Sequence, residues 1–256
     1  MGVHPILLTA LAGLSTGLGG LAAVFFRPTE RLLAFCSGFA ASVMITVSLA
    51  DLLPEALAEF GAVLGPVLCG PAVTLLMLGG MVAAGFLERA LPEEELLARR
   101  FGSRRQGAAM RTALVTGAAL LLHNLPEGVL TLVSGAADSG MGARTAMAVA
   151  LHNIPEGLAV AVPFACATGS RLFGLAAALA SGLAEPAGAL LAWIFLRGRI
   201  NAVTVSGIIV PVAGIMLWVS VEQLLPAAFP EGNRRAGSLG CAVGILVMIL
   251  GIAGLT

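Results

Sequence analysis

The sequence predicts an all-α, polytopic membrane protein, and three observations carry that prediction. Of 256 residues, 58% are hydrophobic and only 11% are charged, less than half the charged share of ordinary soluble domains. Mean hydropathy is +0.99. Apolar runs of about 20 residues, the length that crosses a hydrocarbon core of ~30 Å, recur along the chain at short intervals.

Eight such runs fall at 4–26, 33–58, 63–87, 112–134, 144–168, 171–196, 201–224 and 238–256. The first is expected to be a retained helix and not a secretory leader, since no basic segment precedes it and Arg27 and Arg31 follow it. The second and third are separated by a few residues only. The one long connection, 88–111, sets Glu93, Glu94 and Glu95 before a cluster from Arg99 to Arg105, and reads as a solvated cytoplasmic linker whose charges fix topology. It divides a single transmembrane domain, 1–256, into three helices at 1–87 and five at 112–256. The remaining runs follow one another through short loops carrying Arg, Pro or Gly.

Arginine placement predicts the orientation. One side receives Arg27, Arg31, Arg89, Arg99, Arg100, Arg104, Arg105, Arg111, Arg171, Arg234 and Arg235, the other Arg144, Arg197 and Arg199. Eleven against three places both termini outside the cytoplasm. The 14 arginines balance 14 acidic residues, and Lys is absent, so no basic surface suited to nucleic acid is present. Cys36, Cys69, Cys166 and Cys241 stand singly in apolar runs, which suggests neither a disulfide framework nor a thiolate metal site.

The informative residues are carboxylates where hydrocarbon is expected. Glu127, Glu156 and Glu185 fall in the middle of runs four, five and six, at a combined insertion cost on the order of 8–10 kcal/mol unless they face one another, water or a cation. Two of them lie in near-copies of one hexapeptide, His123-Asn124-Leu125-Pro126-Glu127-Gly128 and, 29 residues on, His152-Asn153-Ile154-Pro155-Glu156-Gly157. On a helix each Glu shares a face with the His four residues back and the Asn three back. That pattern predicts two neighbouring cation positions bridged by Glu127 and Glu156, one lined by His123 and His152, the other by Asn124 and Asn153. Glu185, in Gly182-Leu183-Ala184-Glu185-Pro186, is assigned to the Asn side. Pro126 and Pro155 are expected to kink their helices and free the carbonyls of Leu122 and Leu151.

Imidazole, carboxylate and amide without thiolate suit Zn²⁺ and admit Fe²⁺, Mn²⁺, Co²⁺ or Cd²⁺. These ions are expected as cargo, with no catalytic cofactor. Metal binding at so dense a cluster of titratable groups is expected to release protons.

The paired hexapeptides in consecutive spans, followed by GLAEP, resemble the ZIP (Zrt/Irt-like) divalent-metal transporters, and HNIPEGLAVAVP at 152–163 with ATGSR at 167–171 looks particularly like bacterial members of that family. The resemblance implies a transporter in a bacterial inner membrane, taking zinc toward the cytoplasm, often as a homodimer. It implies a binuclear site of His123, Glu127, His152 and Glu156 beside Asn124, Glu127, Asn153, Glu156 and Glu185. It also implies eight helices with extracytoplasmic termini. Many relatives carry a His-rich loop between helices three and four; residues 88–111 contain no His.

Two other functions use the same residues. An intramembrane metallohydrolase could activate water on a buried metal, but HExxH sets a catalytic Glu beside its ligand His, whereas Asn follows each His here. A proton-conducting channel could use Glu and His as relays.

An internal match adds to the transporter reading. Ser48-Leu49-Ala50-Asp51-Leu52-Leu53-Pro54 resembles Ser220-Val221-Glu222-Gln223-Leu224-Leu225-Pro226, in helices expected to cross in opposite directions. This suggests an inverted-repeat bundle of three, two and three helices. Met44, Ser48, Asp51 and Glu55 could line a path from run two and Glu222 from run seven, but Met44 reads first as core filler and Asp51 and Glu55 fall near a helix end where water is close; all five are kept out of the primary site.

Overall fold

The computed structural model describes residues 4–25, 29–137, 139–195 and 202–255, and every element among them is helical. Helix α1 spans Pro5–Phe25 and α2 Glu30–Val47. After a wide π-helical turn at Ser48–Leu52, α3 runs Leu53–Ala90. Then come α4 (Glu94–Phe101), α5 (Arg104–Ala137), α6 (Ser139–Thr168), α7 (Arg171–Gly182) and α8 (Ala184–Phe195). Helix α9 (Ala202–Val219) leads through a second π-helical turn, Ser220–Leu224, into α10 (Leu225–Ala228), and α11 (Arg234–Leu255) ends the order. Arg27, Arg197 and Arg199 of the orientation count lie outside the described residues.

Seven stretches among the described residues are long and apolar enough to cross a membrane. One of them, Glu30–Ala90, has 61 residues, about 90 Å of helix against a core of ~30 Å. It is interrupted at Gly65, where φ 76° and ψ 169° leave the helical region, a conformation open to glycine and reinforced by Pro66. The break sits a few residues beyond the gap read from the sequence.

Two segments differ from their expected form. Of 88–111, most is helical: α3 continues to Ala90, and α4 closes on Gly102 in the left-handed region. The short α4 buries Leu97 against Ala109 and Met110 of α5 and Ala167 of α6, an apolar contact that an eye tuned to 20-residue spans passes over. The sixth run divides at Leu183 into α7 and α8, because Pro186 lacks the donor its helix would need. By contrast α5 and α6 continue through Pro126 and Pro155 without interruption.

Both π-helical turns fall on the internally matched segments, Ser48–Leu52 and Ser220–Leu224. In each, the proline two residues further on cannot complete the regular ladder, and the chain takes up the slack with one wide turn.

Glycines determine how the helices assemble. A methyl group on Gly157 of α6 would overlap the carbonyl of Thr16 in α1; on Gly182, that of Gly13; on Gly128 of α5, that of Glu185; on Gly188 of α8, that of Leu125. Helices α1, α5, α6, α7 and α8 thus meet backbone to backbone, the small-residue packing typical of membrane bundles. A second set is joined in the same way: α2 to α11 at Gly38 and Gly240, α3 to α9 at Gly80 and Gly214. Between the sets lies an apolar core that includes Met44, Val47, Val115, Leu120, Val160 and Met216.

Candidate metal site

Three helices of the first set bring the midspan carboxylates together. Helices α5 and α6 carry the two hexapeptides on facing surfaces, and the close approach at Gly128 draws the start of α8, with Glu185, against α5. His123, Asn124, Glu127, His152, Asn153, Glu156 and Glu185 are all at most 5% exposed.

The imidazoles converge on the glutamates. His123 Nε2 lies 2.9 Å from Glu127 Oε1 and 3.6 Å from Glu156 Oε1, and His152 Nε2 lies 2.7 Å from the same Glu127 oxygen. Glu127 therefore touches a histidine from each hexapeptide. Ligating atoms of His123, His152 and Glu156 lie within 4.8 Å of one another, close enough to share one ion.

The amides are oriented by neighbours. Asn124 Nδ2 donates to the Ser181 carbonyl at 2.9 Å, and Asn153 Nδ2 donates to the Ala12 carbonyl at 3.1 Å and to Glu185 Oε1. Because both carbonyls can only accept, the amide nitrogens must face them, leaving each Oδ1 turned elsewhere. Sequence reading missed Ser181 and the whole of α1 as parts of this setting. The signals were present in the small residues of Ser181-Gly182 and in Gly13, Gly17, Gly19 and Gly20, which permit the approach.

Among the described residues, six oxygens at this centre are buried without a hydrogen-bond donor: Asn124 Oδ1, Asn153 Oδ1, Glu127 Oε2, both oxygens of Glu156, and Glu185 Oε2. An orphaned buried acceptor costs roughly 1–3 kcal/mol, and more when charged. So many acceptors without donors describe a place for positive charge. With two imidazoles beside them and no thiolate near, the set suits a divalent ion of borderline to hard character.

The pathway residues separate. Asp51 and Glu55 line a cavity of about 230 Å³ together with Glu127, His152 and Arg144, so the centre communicates with that end of α2. Met44 is fully buried in the apolar core, and Ser48 donates to Met216 Sδ at 3.7 Å. Glu222 lies in a different cavity, with Glu30, Arg105 and Arg111, toward the other end of α2. Chain direction places Val115 of α5, Val160 of α6 and Met44 of α2 between that second cavity and the centre. Among the described residues, the cavity that reaches the centre is the one on the Asp51 side.

The comparisons agree with the chemistry. The family described as ZIP Zinc transporter matches residues 100–252. A protein of Escherichia coli O1:K1 / APEC named Zinc transporter ZupT is 40% identical over 245 residues, covering 95% of this chain and 94% of its own. Its namesake in Corynebacterium glutamicum is 38% identical over 253 residues, 96% of both chains. That of Streptococcus mutans is 36% identical over 251 residues, 96% of this chain and 95% of its own.

Proposed function

The chain belongs to the ZIP zinc transporter family, and from that premise we propose that it carries zinc across a bacterial inner membrane into the cytoplasm through a binuclear midplane site. The observation that supports this most is the set of six buried acceptor oxygens without donors, gathered beside two imidazoles. The zinc-type position is His123, His152, Glu127 and Glu156. The second is Asn124, Asn153 and Glu185 with the same two glutamates bridging. Fe²⁺, Mn²⁺, Co²⁺ and Cd²⁺ fit the same donors as competing cargo. The bilayer and these ions are its partners, with a homodimer as the assembly.

Eight crossings support this reading if the limbs on either side of Gly65 are counted separately. The matched π-helical turns favour an inverted repeat in which α5 and α6 stand between two related bundles of three crossings. The cavity at Asp51 and Glu55 is then extracytoplasmic, as are the termini, and a centre that opens to this cavity, with Val115, Val160 and Met44 packed on its other side, favours gating around a fixed site over an open channel. The family is one of transporters and not of enzymes, and the hydrolase and proton-channel alternatives draw no support from it.

Uptake into liposomes holding a zinc-sensitive dye tests the proposal, competed with iron, manganese, cobalt and cadmium. Wild-type protein should accumulate zinc without ATP, and absence of metal-dependent flux would reject the function. Replacing Glu185 by Gln should change the order of competing metals more than zinc flux itself, since Glu185 belongs to the oxygen-rich position alone. An unchanged competition order would remove Glu185 from the site.

Arg144 is a cation on the wall of a cation pathway. A guanidinium ~8 Å from a divalent ion in water repels it by about 1 kcal/mol before screening. At limiting zinc and low ionic strength Arg144→Gln should therefore raise uptake about threefold, the gain shrinking as salt is added. Equal rates at low salt would show that the guanidinium does not face the ion's route.

A further inference from the structure

The first turns of α2 and α11 frame a cleft unlike the metal site. It has a volume of about 640 Å³, and Arg31, Arg235, Thr29 and Asn233 line it above Leu32, Phe35 and Leu239. Among the described residues no carboxylate lines it. Glu30, beside Arg31, turns instead toward Arg105 of α5 at 3.4 Å. Among the described residues neither Arg31 nor Arg235 forms an ion pair.

Two guanidiniums facing one space with no counter-charge repel each other, and an anion between them reverses the sign of the interaction. The rest of the cleft narrows the kind of anion. Its apolar side includes Leu239, 57% exposed, where a water-borne anion would gain nothing. A basic rim over an apolar wall, at the ends of two membrane-crossing helices, complements a charged headgroup attached to an acyl chain.

We propose that this cleft holds an anionic phospholipid, its phosphate between Arg31 and Arg235 and its acyl chain against Leu239 and Phe35. The inference requires that α2 and α11 cross the bilayer and is independent of the metal site.

Native mass spectrometry of the purified, delipidated full chain, titrated with phosphatidylglycerol or phosphatidylcholine, tests it. Wild-type protein should retain phosphatidylglycerol in preference to phosphatidylcholine. The Arg31→Gln/Arg235→Gln double variant should bind phosphatidylglycerol about 25-fold more weakly, the product of about fivefold per basic residue at a lipid surface. The Arg31→Lys/Arg235→Lys variant should keep most of the affinity, which separates lost charge from lost folding. Millimolar inorganic phosphate should leave lipid retention within about twofold. Displacement by phosphate, equal retention of the two lipids, or undiminished binding in the Gln variant would each overturn the assignment.

Discussion

Zinc uptake should fall by more than about 100-fold when Glu156 is replaced by Ala, and Glu127→Ala should do the same; even groups outside the ligand set of a metal site are worth 10–100-fold. Glu156 is fully buried, and neither of its oxygens has a hydrogen-bond donor. Glu127 lies within 3 Å of both imidazoles, at 2.9 and 2.7 Å. Each would serve both ion positions, so removing either dismantles the pair. Glu→Gln variants keep the shape and remove the charge, and they should be equally inactive while inserting and unfolding like wild type. Uptake near the wild-type rate in both Ala variants would eliminate the midplane site.

The second large effect is expected from a residue that touches no ion. In Gly157→Leu the new side chain begins inside the carbonyl of Thr16, so α1 must move away from α6. Overpacking of this kind costs about 1–3 kcal/mol, and more where backbone is the obstacle. The same displacement pulls the Ala12 carbonyl from Asn153, freeing an amide now held at 3.1 Å. Thermal unfolding in detergent should shift downward, and zinc uptake should fall at least about tenfold in the fraction that remains folded. A Gly157→Leu protein as stable and active as wild type would mean that α1 does not support the site.

Much of this molecule was legible from one chemical mismatch, acid in hydrocarbon. Glu127 and Glu156 are costly in lipid and repeat with His and Asn at helical spacing, so their convergence with one another could be read before any coordinates. The same mismatch puts Glu185 beside the Asn pair, and Asn153 Nδ2 donates to it. Interhelical detail was not legible in that way. The carbonyls that orient the amides belong to Ala12 and Ser181, and a main-chain acceptor carries no sequence signature of its own. The division of the sixth run at Leu183 and the helical character of 94–101 were obscured because hydropathy registers membrane crossings, whereas these features depend on a missing proline donor and on a single buried leucine.

Where main chain lies directly on main chain, as at Gly157, Gly128 and Gly182 in one group of helices and at Gly38, Gly80 and Gly214 in the other, shear is resisted strongly. Flexible side chains such as Met44 and Met216 occupy the seam between the groups and can slide past their neighbours by changing rotamer. Yielding is therefore expected at this seam and not inside either group, so the side chains of α5, α6 and α8 around the centre would keep their mutual spacing while the seam adjusts.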